Sequence, residues 1–257
     1  MQLIDTHTHL YLDAFETDRK EIVDKAMAAG VKKLFLPNVD KETIAGMMEM
    51  EKQWPDVCFP MMGVHPCSIK EDFESELKIA REWLEKRPFT AVGEIGIDLH
   101  WDKSFFEQQK IAFLRQIDWA LEFDVPIVIH SREATDIIIS LLQNIKGERP
   151  KGIFHCFTGN LEQAKAIIDL GFYLGIGGVL TFKNAGLDKT VTNIDLKHLV
   201  LETDSPYLTP TPYRGKRNES SYIKLIAEKL ASVKEVQIEE VAEITTNNAK
   251  MIFKNAF

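Results

Sequence analysis

At 257 residues, with 45% hydrophobic and 27% charged residues, the chain has the composition of a folded globular protein, which excludes a disordered or fibrous one. A formal net charge of −8 argues against a protein that coats nucleic acid through bulk charge, but not against one that grips a few phosphates in a local pocket. The three cysteines, Cys58, Cys67 and Cys156, form no C-x-x-C pair, so neither a disulfide framework nor a zinc knuckle is expected. Free thiols fit a reducing compartment. The chain shows no basic leader followed by an apolar run and no apolar stretch of membrane-spanning length, so the expectation is a cytoplasmic protein without a membrane partner.

The first predicted strand, Leu3 to His9, ends in "DTHTHL" and is followed by an amphipathic helix over Thr17–Gly30. Apolar runs at Lys33–Val39 and Val57–Val64 read as the next two strands, and "ESELKIAREWLEKR" as a helix over Glu74–Arg87. A strand at Thr90–Ile97, a helix at Phe105–Asp124 and a strand at Pro126–His130 follow. After a strand at Gly152–Phe157, the helix Asn160–Gly171 opens on the capping-box pair Asn160 and Gln163 and closes on Gly171. Strands at Phe172–Ile176 and His198–Glu202 complete the set, and two helices end the chain. Several strands are near-continuous in aliphatic residues, as suits parallel strands buried on both faces.

Eight strands alternating with helices, without a linker or compositional break, imply a single-domain TIM (β/α)8 barrel over residues 1–257. An open doubly wound sheet is the alternative. It would carry a Gly-rich first turn, where this chain has histidines.

Barrel chemistry collects at the C-terminal ends of the strands. Those ends carry His7 and His9, His65, Glu94 and Asp98, His130, His155, and Glu202 with Asp204: five of the seven histidines. Strand residues two apart share a face, so His7 and His9 can turn inward together, as can Glu202 and Asp204 on the strand that meets the first in a closed barrel. A lone strand histidine is usually a hydrogen-bonded core residue. Four histidines with a glutamate and an aspartate at one barrel end are costly to bury without a cation, so metal binding is expected.

Mixed imidazole and carboxylate donors suit Zn, Mn, Fe or Co, and Mg less well. Six donors exceed one catalytic zinc site, so two divalent ions per subunit are expected. His7, His9 and Asp204 are assigned to one ion, His130 and His155 to the other, and Glu94 to both. Water acidified between them would be the nucleophile, with Asp204 accepting its proton and Glu94 holding the ions together. Glu202 is expected to steady a histidine from behind.

The segments "IDTHTHL", "GVHP", "GEIGID", "PIVIHSRE", "HCFTG" and "LETDSPYLTP" span nearly the whole chain. In this order they resemble the TatD-type metal-dependent hydrolases, a deoxyribonuclease branch of the amidohydrolase superfamily. The resemblance implies a TIM barrel, two divalent cations and phosphodiester hydrolysis, often as a 3′–5′ exonuclease on DNA ends. It carries the ligand role onto His7, His9, Glu94, His130, His155 and Asp204. The chain departs from the family at Leu99-His100-Trp101 and at "RGKRNESS".

DNA, single-stranded or frayed at its ends, is the expected substrate. The loop after the eighth strand offers Tyr213, Arg214, Lys216 and Arg217. Arg214 is the better phosphate candidate because a guanidinium grips phosphate oxygens bidentately. His65 and Arg132 stand on the same rim, and Tyr213 or Trp101 could stack a base. The alternative function is ester hydrolysis, as by a D-aminoacyl-tRNA deacylase, with aminoacyl-tRNA as the partner. A non-catalytic barrel would have lost ligands, and none is lost. No obligate protein partner is expected.

Overall fold

Strands β1 (Leu3–Asp5), β2 (Val31–Pro37), β3 (Cys58–Met61), β4 (Val92–Gly96), β5 (Ile127–His130), β6 (Gly152–Phe154), β7 (Tyr173–Ile176) and β8 (Leu199–Leu201) follow the anticipated order in a computed structural model that describes all 257 residues. Their ladders are parallel and join neighbours in chain order, β1 to β3 and β4 to β8. Two seams close the ring. The Thr6 N–H donates to the Leu201 carbonyl at 3.1 Å, tying β1 to β8, and the Gly93 N–H donates to the Met62 carbonyl at 3.1 Å, tying β4 to β3. The sheet therefore closes as a (β/α)8 barrel and not as an open, doubly wound sheet.

Helices α1 (Arg19–Ala28), α2 (Ile44–Gln53), α3 (Phe73–Lys86), α4 (Phe106–Glu122), α5 (Thr135–Gln143), α6 (Leu161–Asp169), α7 (Leu187–Thr192), α8 (Ile223–Lys234) and α9 (Ile238–Ile252) accompany the strands. The α6 start is capped as its sequence suggests. The Gln163 N–H donates to Asn160 Oδ1 at 2.9 Å, the Asn160 N–H donates to Gln163 Oε1 at 3.0 Å, and Gly171 takes the left-handed φ of 87° just past the helix end. No helix is long and apolar enough to cross a membrane.

The core has two parts. The larger packs helices on the outside of the sheet. The smaller gathers Ile4, Phe35, Met61, Ala91, Val128, Ile153 and Val200, from or beside seven of the strands, and Phe253 from the C-terminal segment closes it by stacking on Phe35 with ring centroids 4.0 Å apart. This is the interior of the barrel. Two residues on from Val128, Ile153 and Val200 come His130, His155 and Glu202, so the apolar layer is the floor on which the polar layer stands.

Strand β1 is shorter than the expected Leu3–His9. Regular pairing stops at Asp5, whose buried carboxylate accepts the N–H groups of His7 at 3.3 Å and Thr203 at 3.0 Å and the Thr203 hydroxyl at 2.7 Å. The interruption shifts the alternation. Ile4 belongs to the interior apolar layer, yet His7 and His9, three and five residues later, also turn inward.

Candidate metal centre

His7 and His9 reach the barrel mouth from the segment after β1, where the Thr8 N–H donates to the Phe35 carbonyl at 3.0 Å and the Asp204 N–H to the His7 carbonyl at 2.9 Å. Their Nε2 atoms lie 3.1 Å apart. Glu94 comes up from β4 and is almost wholly buried between two groups of imidazoles. Its Oε2 lies 3.1 Å from His7 Nε2 and 3.5 Å from His9 Nε2, and its Oε1 lies 2.9 Å from His130 Nδ1 and 3.6 Å from His155 Nε2. One carboxylate thus faces two donor pairs with its two oxygens. Asp204 takes a left-handed φ of 56° at the β8 exit, a conformation aspartate tolerates better than most residues, and its Oδ1 lies 3.6 Å from His9, 3.8 Å from His7 and 4.0 Å from His155.

The partners behind the imidazoles decide which nitrogen offers a lone pair. The Tyr11 hydroxyl donates to the Pro37 carbonyl, so it accepts from His9 Nδ1 at 2.8 Å and leaves His9 Nε2 as an acceptor facing the cluster. His130 places Nε2 against Asp98 Oδ2 at 2.8 Å and turns Nδ1 to Glu94. His155 turns Nδ1 towards Glu202 Oε1 at 3.0 Å and Nε2 inward. His65 has the opposite polarity. Its Nδ1 accepts the Cys67 N–H at 3.0 Å, so the neutral ring carries its proton on Nε2, which faces His130 Nδ1 at 3.3 Å and Glu94 Oε1 at 3.4 Å. His65 therefore presents an N–H to the site, which suits an anionic oxygen better than a cation.

The electrostatics call for positive charge. Burial works against the Glu94 charge, but His65, His7, His155 and the His130 hydrogen bond outweigh it and hold the carboxyl well below its usual range. Asp204 is likewise held low against burial, by His155, His9 and His7. Burial lowers His155, yet Glu202, Glu94 and Asp204 push it up to about 10, while burial and the stacked His155, 3.5 Å away, push His7 down. Protons or cations can satisfy these acids. Ring nitrogens of His7, His9, His130 and His155 converging on two carboxylates form a donor set that suits divalent transition ions.

A family model described as "TatD related DNase" matches residues 4–254. The chain belongs to the TatD-related DNase family. It is 42% identical over 253 residues to the "uncharacterized metal-dependent hydrolase YabD" of Bacillus subtilis (strain 168), covering 98% of this chain and 99% of the relative. It is 30% identical over 260 residues to the "3'-5' ssDNA/RNA exonuclease TatD" of Pectobacterium parmentieri (strain WPP163), covering 99% of this chain and 100% of the relative. Its fold superposes on the crystal structure of YjjV, a TatD homologue from Escherichia coli K12, with a TM-score of 0.92 at 29% identity over 98% of both chains. It is a metal-dependent hydrolase of the TatD family, and its His, Asp and Glu clusters are able to bind metal.

Around this TatD centre the rim residues divide. Arg132 is exposed, with its guanidinium 5.3 Å from the centre of the Trp101 ring. The Arg214 guanidinium lies 3.6 Å over the Phe182 ring and donates to the Thr209 carbonyl at 3.3 Å. Tyr213 stacks on Tyr222 with centroids 4.7 Å apart, which occupies one face of the ring proposed for a base. Arg217 is not free at all. It donates to both Asp18 oxygens, at 2.9 and 2.5 Å, and to the Ala14 carbonyl, and so pins the loop after β8 to the segment before α1. Its partner lies 199 positions away, out of reach of any local reading of the loop.

Three contributors carried no role in the sequence. Asp98 stood at a strand end, and its Oδ2 lies 2.8 Å from His130 Nε2 while its Oδ1 accepts the His100 and Trp101 N–H groups at 2.9 and 3.2 Å. Tyr11, two residues after His9, could have been found by the same alternation that paired the histidines. Gly175 leaves the room that Glu202 fills, for a Cβ there would meet Glu202 Oε2 at 2.2 Å. Burial, with Asp204, Glu202 and Glu94 nearby, pushes the Cys156 thiol well above its usual range.

Proposed function

We propose that this chain, acting as one domain over residues 1–257, is a 3′–5′ exonuclease that hydrolyses phosphodiesters at single-stranded or frayed DNA ends, with two divalent ions of the Zn, Mn, Mg, Fe or Co class. The observation that carries the reading is Glu94. Its two oxygens face separate donor pairs, His7 with His9 and His130 with His155. A pair of such ions, when bound, acidifies water and stabilises the attacking and leaving oxygens of an in-line displacement. Full-length relatives named as 3'-5' ssDNA/RNA exonucleases favour nucleic acid as the substrate.

The chain's own groups supply the remainder. Asp204 is ionised at neutral pH and close to the imidazoles of both pairs, so its carboxylate accepts the proton of the attacking water. The His65 Nε2–H donates to a phosphate oxygen beside Glu94. Arg132 and Arg214 provide further positive charge on the rim, and Glu202 holds His155 in place, within a cytoplasmic enzyme that needs no second protein.

The test is a single-stranded oligonucleotide labelled at its 5′ end, incubated with purified protein and each cation in turn, beside an aminoacyl-tRNA under the same conditions. Stepwise shortening from the 3′ end that chelator abolishes is the expected result. Deacylation without nucleotide release would replace the nuclease with an esterase. Because one terminal phosphate or two are gripped, binding should weaken only slightly with salt, and a steep slope would point to a long duplex footprint instead.

A further inference from the structure

The molecule exposes few large aromatic side chains, and Tyr207, 54% exposed, is one that borders the metal centre, its ring centroid 6.2 Å from that of His9 and edge-on to it. A singly exposed apolar residue needs no explanation in itself. What sets Tyr207 apart is the rigidity beneath it. Its N–H donates to the Asp204 carbonyl at 2.8 Å, and its carbonyl accepts from Asn218 Nδ2 at 2.6 Å. Asn218 is itself fully buried, and its Nδ2 also donates to the Thr203 carbonyl at 2.7 Å. The ring is therefore held on a fixed backbone beside the proposed base Asp204, with much of its surface given to solvent.

The other rim aromatics are differently placed. Tyr213 already has Tyr222 on one face, and Trp101 follows β4, four strands from β8 and so on the opposite side of the eight-stranded ring. The loop that carries Tyr207 is tied down on the β1 side. Arg217 clamps the loop after β8 to Asp18 and Ala14 beyond β1. An end-trimming enzyme needs one closed side for the terminal nucleotide and one open side for the rest of the strand. From this placement we infer that Tyr207 is the platform on which the 3′-terminal base of the substrate stacks, with the retained strand leaving past Trp101 and Arg132. Stacking accepts any base, because each has a π-face. The inference rests on the nuclease reading above and adds the subsite that seats the terminal base.

The experiment compares two single-stranded oligonucleotides, one ending in an ordinary 3′ nucleotide and one whose last residue is an abasic tetrahydrofuran. The readout is the ratio of kcat/KM for the two. The wild type should favour the base-bearing end by about tenfold, the size of a typical base–aromatic stack. Tyr207→Phe should keep that ratio and Tyr207→Ala should bring it close to one, with metal content measured to show an intact centre. An unchanged ratio in Tyr207→Ala would overturn the platform while leaving the nuclease standing. A wild type that shortens neither oligonucleotide would overturn both.

Discussion

Val128, Ile153 and Val200 lie fully buried in the apolar layer of the barrel, and two residues further along the same strands stand His130, His155 and Glu202. The backbone is continuous between the layers, so the difference lies in the side chains and in what satisfies them. The lower layer needs only shape and the exclusion of water. The upper layer holds buried acids and imidazoles that burial alone would penalise; Tyr11 answers His9, Asp98 answers His130 and Glu202 Oε1 stands 3.0 Å from His155 Nδ1, while His7 Nδ1 has no hydrogen-bond partner. One layer secures the fold and the other tolerates an arrangement that costs stability in exchange for chemistry.

Changes in the two layers should therefore separate stability from activity. Asp204→Asn, in the upper layer, keeps the shape and removes the proposed base; hydrolysis should fall by roughly a hundred- to ten-thousandfold while the melting temperature stays near that of the wild type. Activity within a factor of two of wild type would remove Asp204 from the proton-accepting role. Phe35→Ala, in the lower layer, empties a buried ring that stacks on Phe253 and should cost about 3–5 kcal/mol in urea unfolding. The folded fraction should still carry the wild-type metal content, and loss of metal in it would show that the layers are not separable.

Glu202→Gln probes the contact behind His155. Metal affinity should drop by about ten- to a hundredfold, read by competition with a chelating dye, and unaltered affinity would leave Glu202 as packing beneath Gly175. The smallest effect belongs to the loop clamp. Arg217 hydrogen bonds hold the Asp18 carboxyl below its usual value, so the pair's contribution is complete above about pH 5 and is lost as the pH falls through the depressed folded value. Both side chains are about a third exposed, which limits the gain to under about 1 kcal/mol at neutral pH. Asp18→Asn should be less stable than wild type at pH 7, with the gap closing towards pH 3; a gap that persists in acid would deny the ion pair its part.

Much of the site was legible because its signals are local. The two-residue repeat of "HTH" brought His7 and His9 to one face, and the Asn160–Gln163 pair marked a helix start that the structure bears out atom by atom. Partners far apart in the chain were not legible. Nothing near Arg217 announces Asp18, and nothing near Tyr213 says that Tyr222 will take one face of its ring.

Composition, alternating strand and helix patterns and the strand-end donors determined the barrel and the residues that meet at its mouth, because periodicity and spacing are properties of neighbouring positions. Ring closure, the phase shift after Asp5, the division of Glu94 between two donor pairs and the choice of nitrogen on His9, His65 and His130 were decided only in three dimensions. Those features depend on which groups stand across the barrel from one another, and a linear order of residues contains no such distances.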